Sequence, residues 1–291
     1  MRRTSTLTPV LAAQDTIQPL TGLEFEQIRQ LAHRVFGLDL KPGKEELVSS
    51  RLGKLLRNGG FRSFHDYYRH IVADSTGESM VGMIDALTTN HTAFLREPDH
   101  FEFLRHEVLP ALASRENVEI WSAACSTGEE VWTLACLLND AGVGRRSQIV
   151  ASDISMRALR FAERGIYPID RCGGLPGAWL TRHFEPIDRP PTGYRIAPTI
   201  RSHATFRRIN LVEPLVWPHR FPAIFCRNVM IYFDAATQER VVRQLSEYLE
   251  PGGYLFVGHA ESLTRISHSL DYVQPAVYRK PAEGRRRWGT T

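Results

Sequence analysis

An α/β fold with a doubly wound parallel sheet, preceded by a small helical segment and interrupted by a small β insertion, is predicted by three features of this sequence. From Val118 onward, short apolar runs alternate with helical stripes, the pattern of a parallel sheet covered by helices on both faces. Between Thr21 and Thr89 the apolar spacing is helical, with breaks at Pro42-Gly43 and Gly59-Gly60. Between Ile166 and Phe206 lie six prolines and only β-like fragments such as Tyr194-Arg195-Ile196. A connection of that length is rarely structureless inside a domain, so an inserted β subdomain over about 167–206 is expected.

Taken in order, residues 1–19 read as a disordered tail. Two arginines and a short apolar patch imitate a secretion signal, but Pro9 breaks the patch. A helical domain is expected over 20–89 and the α/β domain over 90–281, with a basic tail over 282–291. Thr88 to Leu104 reads as a connection followed by a short helix. Val118–Ala123 is a strand and Glu129–Leu138 a helix. Gln148–Ser152 is a second strand ending at Asp153, and Ser155–Glu163 the next helix. Ala223–Val229 is a buried strand. Asp234 is a helix N-cap, and Pro251-Gly252-Gly253 ends that helix after Leu249. Tyr254–Gly258 follows as a strand, and Val273–Lys280 as a last, antiparallel one.

At 291 residues and 43% hydrophobic, the chain can bury a large core and a smaller one. No apolar run approaches the ~20 residues needed to cross a bilayer, so a cytoplasmic protein without membrane insertion is expected. The four cysteines form no C-x-x-C pair and join no histidine cluster, so neither a metal nor a disulfide framework is expected. A net charge of +4 fits an acidic partner, either nucleic acid or an acidic protein surface.

Three motifs carry chemistry. Ser122-Ala123-Ala124-Cys125-Ser126-Thr127-Gly128-Glu129-Glu130 occupies a strand-to-helix turn whose small residues let a ligand approach the backbone. It has neither the dinucleotide glycine spacing nor a P-loop lysine, and Glu129 would repel a phosphate. A cationic or hydroxyl-bearing ligand suits it; an ordinary βα turn is the bland alternative. Asp153 stands where doubly wound folds keep the acid that accepts from ribose hydroxyls, although it could instead cap the next helix. Phe225-Cys226-Arg227-Asn228-Val229-Met230-Ile231-Tyr232-Phe233 sets Arg227 and Asn228 at the carboxyl end of an apolar strand, where open sheets bind ligands.

These residues resemble the chemotaxis-receptor glutamate methyltransferases, the CheR family. Thr88 to Glu97, Trp121 to Glu130 and Ile224 to Asp234 carry the likeness most closely, and weaker agreement runs from Thr21 to Lys280, including Gly258-His259-Ala260-Glu261-Ser262. The resemblance implies a class I (Rossmann-like) S-adenosylmethionine methyltransferase domain with an inserted β subdomain behind an all-α N-terminal domain. It further implies that Asn90, Thr92, Arg96, Glu129, Asp153, Asn210, Leu211, Arg227 and Asn228 surround S-adenosyl-L-methionine, or its product S-adenosyl-L-homocysteine. Asp153 would hold the ribose, and Asn210-Leu211 would lie by the adenine. Arg96 and Tyr232 would stand near the transferred methyl; without the family, Arg96 reads as a surface ion pair with Glu97 or Asp99. Partners implied are the cytoplasmic methylation helices of chemoreceptors, met by a monomer that does not bind nucleic acid.

A glutamate carboxylate is ionised at neutral pH and needs no general base, so no His/Asp or Cys/His constellation is required. Two other readings compete: a class I methyltransferase acting on nucleic acid or a small molecule, and a non-catalytic sensing module on the same fold. Dispersed basic residues without interleaved aromatics weigh against the first, and a fully furnished pocket against the second. Family members that tether to receptors resemble one another in a Gly-rich loop of the insertion; Ile187 to Tyr194 has one glycine, so tethering is not expected. A helix from Lys44 to Arg57 would align Val48, Leu52, Leu55 and Leu56 on one stripe. Lys44, Arg51, Lys54 and Arg57 would fall on the opposite face, where the resemblance implies docking of the acidic receptor helices.

Overall fold

A computed structural model describes residues 17–88, 91–143 and 147–282. The chain divides into two compact units, one through Ile28 and over Lys41–Leu87, the other over Arg29–Leu40 and from Thr88 onward. Among the described residues, four helices lie before Thr88: α1 (Gly22–Phe36), α2 (Glu45–Gly59), α3 (Phe64–Ala73) and α4 (Glu78–Leu87). Thr21 and Glu24 open α1 with a reciprocal capping box, the Glu24 N–H donating to Thr21 Oγ1 at 3.3 Å and the Thr21 N–H to Glu24 Oε2 at 2.8 Å. Glu24 Oε1 also accepts the His65 N–H, at 2.8 Å.

Helix α2 ends at Gly60, whose φ of 70° is a left-handed cap that glycine adopts without steric cost. Ser63 then caps α3 by accepting the Asp66 N–H at 3.1 Å. Val48, Leu52 and Leu56 of α2 are buried and Leu55 is half-buried, the stripe its spacing predicts. Each fully buried aliphatic side chain of this kind contributes about 1.5–3 kcal/mol. Lys44, Lys54 and Arg57 are exposed. Arg51 is half-buried, and its guanidinium donates to the Leu87 carbonyl at the end of α4, where a cation complements the helix dipole.

The second unit is built on a seven-stranded sheet in the order β6-β2-β1-β7-β8-β10-β9. Its strands are β1 (Val118–Ser122), β2 (Ser147–Asp153), β6 (Ala204–Arg208), β7 (Phe221–Cys226), β8 (Leu249–Val257), β9 (Asp271–Gln274) and β10 (Val277–Arg279). The first five run parallel, and β10 returns antiparallel between β8 and β9. Successive side chains point to opposite faces, so neighbours serve different cores. Ile120, Ile149 and Phe225 pack on one side; Trp121, Val150 and Ile224 pack on the other. Helices α5 (Pro98–Phe103), α6 (Leu109–Leu112) and α7 (Glu129–Asp140) cover the first face, with α8 (Met156–Arg164) contributing Leu159; α11 (Ala235–Glu247) covers the second with Val241, Val242 and Leu245.

The prolyl segment is ordered. β3 (Ile166–Pro168), β4 (Phe184–Ile187) and β5 (Gly193–Ile196) form a separate antiparallel sheet in the order β3-β5-β4, accompanied by α9 (Gly177–His183) and α10 (Pro198–Arg201). Asp140 at the end of α7 fastens α9, accepting from Trp179 Nε1 and His183 Nε2, each at 2.9 Å.

Several boundaries differ from the sequence reading. β6 joins the main sheet beside β2, although its residues read as the end of the insertion; its strand is too polar to announce itself. β7 stops at Cys226 rather than Val229, because Asn228 turns into a left-handed conformation with φ 58°. The helix before β8 ends at Glu247 and β8 begins at Leu249, so Pro251-Gly252-Gly253, read as the end of that helix, lies inside the strand at a shift in its pairing register. The last strand is a hairpin, β9 and β10, turning at Ala276. Ser155, not Asp153, caps α8, accepting the Ala158 N–H at 3.0 Å. The expected tails lie outside the described residues over 1–16 and 283–291.

Candidate functional site

The carboxyl ends of β1, β2 and β7 bring three loops together. The turn from β1 to α7 is braced from β2: the Cys125 N–H donates to the Ser152 carbonyl at 2.9 Å, and the Ser126 N–H to Asp153 Oδ2 at 2.8 Å. Asp153 Oδ1 accepts the Ser155 N–H at 2.9 Å. Asp153 therefore belongs to the turn, and the motif and the acid that spacing paired in sequence are joined in space. Gly128, at φ 93°, closes the turn where a Cβ would stand 2.6 Å from the Cβ of Ala162.

Glu129 opens α7 and is fully buried. One carboxylate oxygen accepts from Arg171 Nη1 at 2.9 Å and the other from Thr127 Oγ1 at 2.7 Å. Arg171, from the short helical turn after β3, was missed in the sequence; its guanidinium also lies over the Phe161 ring, 5.2 Å from the centroid. No local signal pairs it with a glutamate so far away. A carboxylate offers about four acceptor positions, so these contacts are compatible with a further ligand hydroxyl or ammonium at Glu129.

The second loop follows β7. Arg227 is buried and its guanidinium is shared among protein groups: Nη1 donates to Glu130 Oε2 at 2.9 Å, and Nη2 to Glu97 Oε2 at 3.0 Å and to the Arg96 carbonyl. Glu130 is completed by Ser122 Oγ at 2.6 Å. The Asn228 amide donates to Glu97 Oε1 at 3.1 Å. Beneath this loop lies Glu261, whose Oε2 accepts the N–H groups of Asn228 at 2.7 Å and Gly258 at 2.6 Å. Its Oε1 accepts the Ile231 N–H at 3.1 Å. A Cβ on Gly258 would stand 2.4 Å from the Asn228 amide nitrogen, so only glycine fits there. Burial pushes the Glu261 carboxyl up, against backbone N–H groups that pull it down.

The third loop carries Thr92, half-buried, and Arg96. Leu95 and Glu97, at φ 54° and 56°, both sit in the left-handed region, which costs a side-chain-bearing residue of order 1–3 kcal/mol. What holds them is visible: the Leu95 N–H reaches Thr133 Oγ1 at 3.3 Å, and Glu97 takes the contacts from Arg227 and Asn228. Burial alone would raise the Glu97 carboxyl, but Asn228, Arg227 and the His259 N–H together hold it below the usual carboxylate value. Arg96 Nη1 donates to the His91 carbonyl at 2.7 Å, so its side chain is turned along its own loop and not onto Glu97 or Asp99.

Tyr232 is half-buried at the far end of the β7 loop, its carbonyl accepting the Asp39 N–H at 2.8 Å. After β6, the Asn210 amide donates to the Val35 carbonyl and to Glu213 Oε1, both at 2.9 Å, and Leu211 is buried beside it. Asn90 lies outside the described residues. Burial pushes the Cys125 and Cys226 thiols well above the usual value, so both flank the site as neutral groups and neither is a nucleophile. The arrangement offers fixed carboxylates for hydroxyl or cationic parts of a ligand, and one arginine on a strained turn.

Comparison with known proteins gives two family matches: "CheR methyltransferase, all-alpha domain" over residues 23–88 and "CheR methyltransferase, SAM binding domain" over residues 90–278. Among curated relatives, a chemotaxis protein methyltransferase of Borreliella burgdorferi is 35% identical over 272 residues, covering 90% of this chain and 95% of that one. Chemotaxis protein methyltransferase 2 of Pseudomonas aeruginosa is 38% identical over 280 residues, covering 94% and 98%. The Klebsiella aerogenes enzyme is 39% identical over 266 residues, covering 89% and 90%.

Proposed function

The chain belongs to the CheR methyltransferase family, and from that premise we propose that it esterifies glutamate side chains on the cytoplasmic methylation helices of chemoreceptors, using S-adenosylmethionine. The observation that carries the reading is the junction of three segments distant in sequence, the β1–α7 turn, the Leu95–Glu97 turn and the Arg227-Asn228 loop, through Arg227 and its carboxylate partners. Residues 20–89 would face the receptor, and 90–281, with its insertion at about 167–206, would hold the cofactor. Among the described residues no helix is long and apolar enough to cross a membrane; action as a monomer in the cytoplasm is part of the proposal.

The donor set fits the cofactor: buried carboxylates suit its hydroxyl and cationic groups, and the neutral thiols cannot compete for its methyl. Bound S-adenosylmethionine supplies a methyl group on a positively charged sulfur. Asp153 and Glu129 would accept from its hydroxyl or ammonium groups, with Asn90, Thr92, Asn210, Leu211 and Asn228 lining the remainder. Arg227 would act chiefly by fixing the two loops, since its η nitrogens are already committed to protein oxygens. Arg96 would orient the incoming glutamate carboxylate through one oxygen, because a two-point salt bridge would blunt it as a nucleophile. Tyr232 would help shield the reacting atoms from water, which favours the separated charges over the neutral products.

Purified protein incubated with tritiated S-adenosylmethionine and chemoreceptor-bearing membranes is expected to label the receptor, with the label released as methanol by mild base. Unlabelled receptor, or base-stable label, would overturn the assignment. Asp153→Asn should weaken S-adenosylmethionine by roughly tenfold or more, the worth of one charge-assisted hydrogen bond; unchanged calorimetric affinity would remove Asp153 from the site. Arg96→Ala should lower kcat on the order of 100-fold, as loss of alignment does, while cofactor affinity changes far less. Equal losses in both would make Arg96 a binding residue only.

A further inference from the structure

We propose that Glu97, His100 and His259 form a binding site for one zinc ion beside the turn that carries Arg96. One ligand atom from each of the three lies within 4.8 Å of the other two. Glu97 Oε2 and His100 Nδ1 are already 3.6 Å apart. Tetrahedral zinc with bonds of about 2.1 Å spaces its ligand atoms roughly 3.4 Å apart, so the first two ligands need almost no movement. The His259 ring stands edge-on to His100 with centroids 4.9 Å apart. It is exposed.

His100 is the observation that points to a ligand. Its side chain is fully buried, and neither ring nitrogen has a hydrogen-bond partner. An imidazole must keep at least one donor or acceptor on each nitrogen, and leaving such groups unpaired in the interior costs about 1–3 kcal/mol apiece. Buried polar atoms of native proteins are overwhelmingly satisfied, so something is expected to meet this ring, and the Glu97 carboxylate at 3.6 Å is too far to do it by a hydrogen bond.

Glu97 supplies the negative charge of the site, and Arg227, the cation beside it, is shared with Glu130. Glu97 keeps its geometry through the Asn228 amide at 3.1 Å and the His259 N–H at 3.3 Å, contacts of the kind that orient metal-bound carboxylates. Two imidazoles and one carboxylate are the donor set of open, three-residue zinc sites, with the fourth position left to water or another ligand. The cysteine and histidine spacing of the sequence gives no hint of it, because His100 and His259 come from opposite ends of the α/β chain.

The full-length protein, stripped with chelator and dialysed, should bind one equivalent of Zn²⁺ when titrated against a chromogenic chelator. Co²⁺ in its place should give the visible absorption of a low-coordinate nitrogen–oxygen site. His259→Ala, at an exposed position, should weaken Zn²⁺ by tenfold or more, since even outer contacts of a metal site are worth 10–100-fold, and should abolish the cobalt band. His100→Gln, checked for folding by circular dichroism, should do the same. No stoichiometric uptake by the wild-type protein overturns the site, as does uptake that both variants retain at full affinity.

Discussion

Arg227→Ala should cost about 3–5 kcal/mol of folding stability, the usual penalty for removing one partner of a buried ion pair. The Arg227 side chain is 3% exposed, and its partners Glu97 and Glu130 are 14% and 12% exposed, so neither carboxylate can recover full hydration. The loss should extend to structure: Leu95 and Glu97 are held in left-handed conformations partly by Arg227, and without it the Arg96 turn should relax. Urea denaturation of variant and wild type at neutral pH measures the first effect. Arg227→Lys should recover only part of it, because an ammonium cannot fork between two carboxylates and a carbonyl.

The pH dependence has a definite sign. The folded Glu97 carboxyl lies below its ordinary value of 4.5, so its contribution is complete above that value and is lost as pH falls through the lower folded one. In Arg227→Ala the folded value rises, and acid destabilisation should begin at higher pH than in the wild type. A variant within about 1 kcal/mol of wild type, with an unmoved acid limb, would show that the network is solvated and carries nothing.

That network marks where sequence reading stops. Arg227 meets partners 97 and 130 residues away, and nothing in the composition of CRNVMIYFD names them. The Asp153 brace was legible because doubly wound topology itself brings the ends of β1 and β2 together, so two local patterns imply one contact. The α2 stripe was legible for the same kind of reason, a period of 3.6 read over consecutive residues. Glu261 was not: its worth lies in backbone N–H groups from two loops, Asn228 and Ile231 after β7 and Gly258 in its own loop after β8. The commitments of Arg51 and Arg171 were equally hidden, since a basic residue on a helix or turn looks solvated until its acceptor is located.

Reversing the two exposed charges on α2, Lys54→Glu with Arg57→Glu, should abolish receptor methylation while leaving S-adenosylmethionine affinity within about twofold, well under the tenfold that 1.4 kcal/mol represents. Both side chains lie on the face of α2 away from Val48, Leu52 and Leu56, so neither substitution touches the helical core. Arg51, which the sequence grouped with them, is unsuited to the test: it is half-buried and its guanidinium closes the end of α4 at the Leu87 carbonyl, so Arg51→Glu would damage the unit itself. Opposing an acidic receptor helix with two new acids turns attraction into like-charge contact, which costs several kcal/mol across an interface. Wild-type methylation should also fall steeply as salt rises, since exposed charges are screened beyond a Debye length of about 8 Å at physiological ionic strength. Normal methylation of receptor membranes by the folded double variant would mean that this face of α2 is merely solvated and that the receptor helices are met elsewhere.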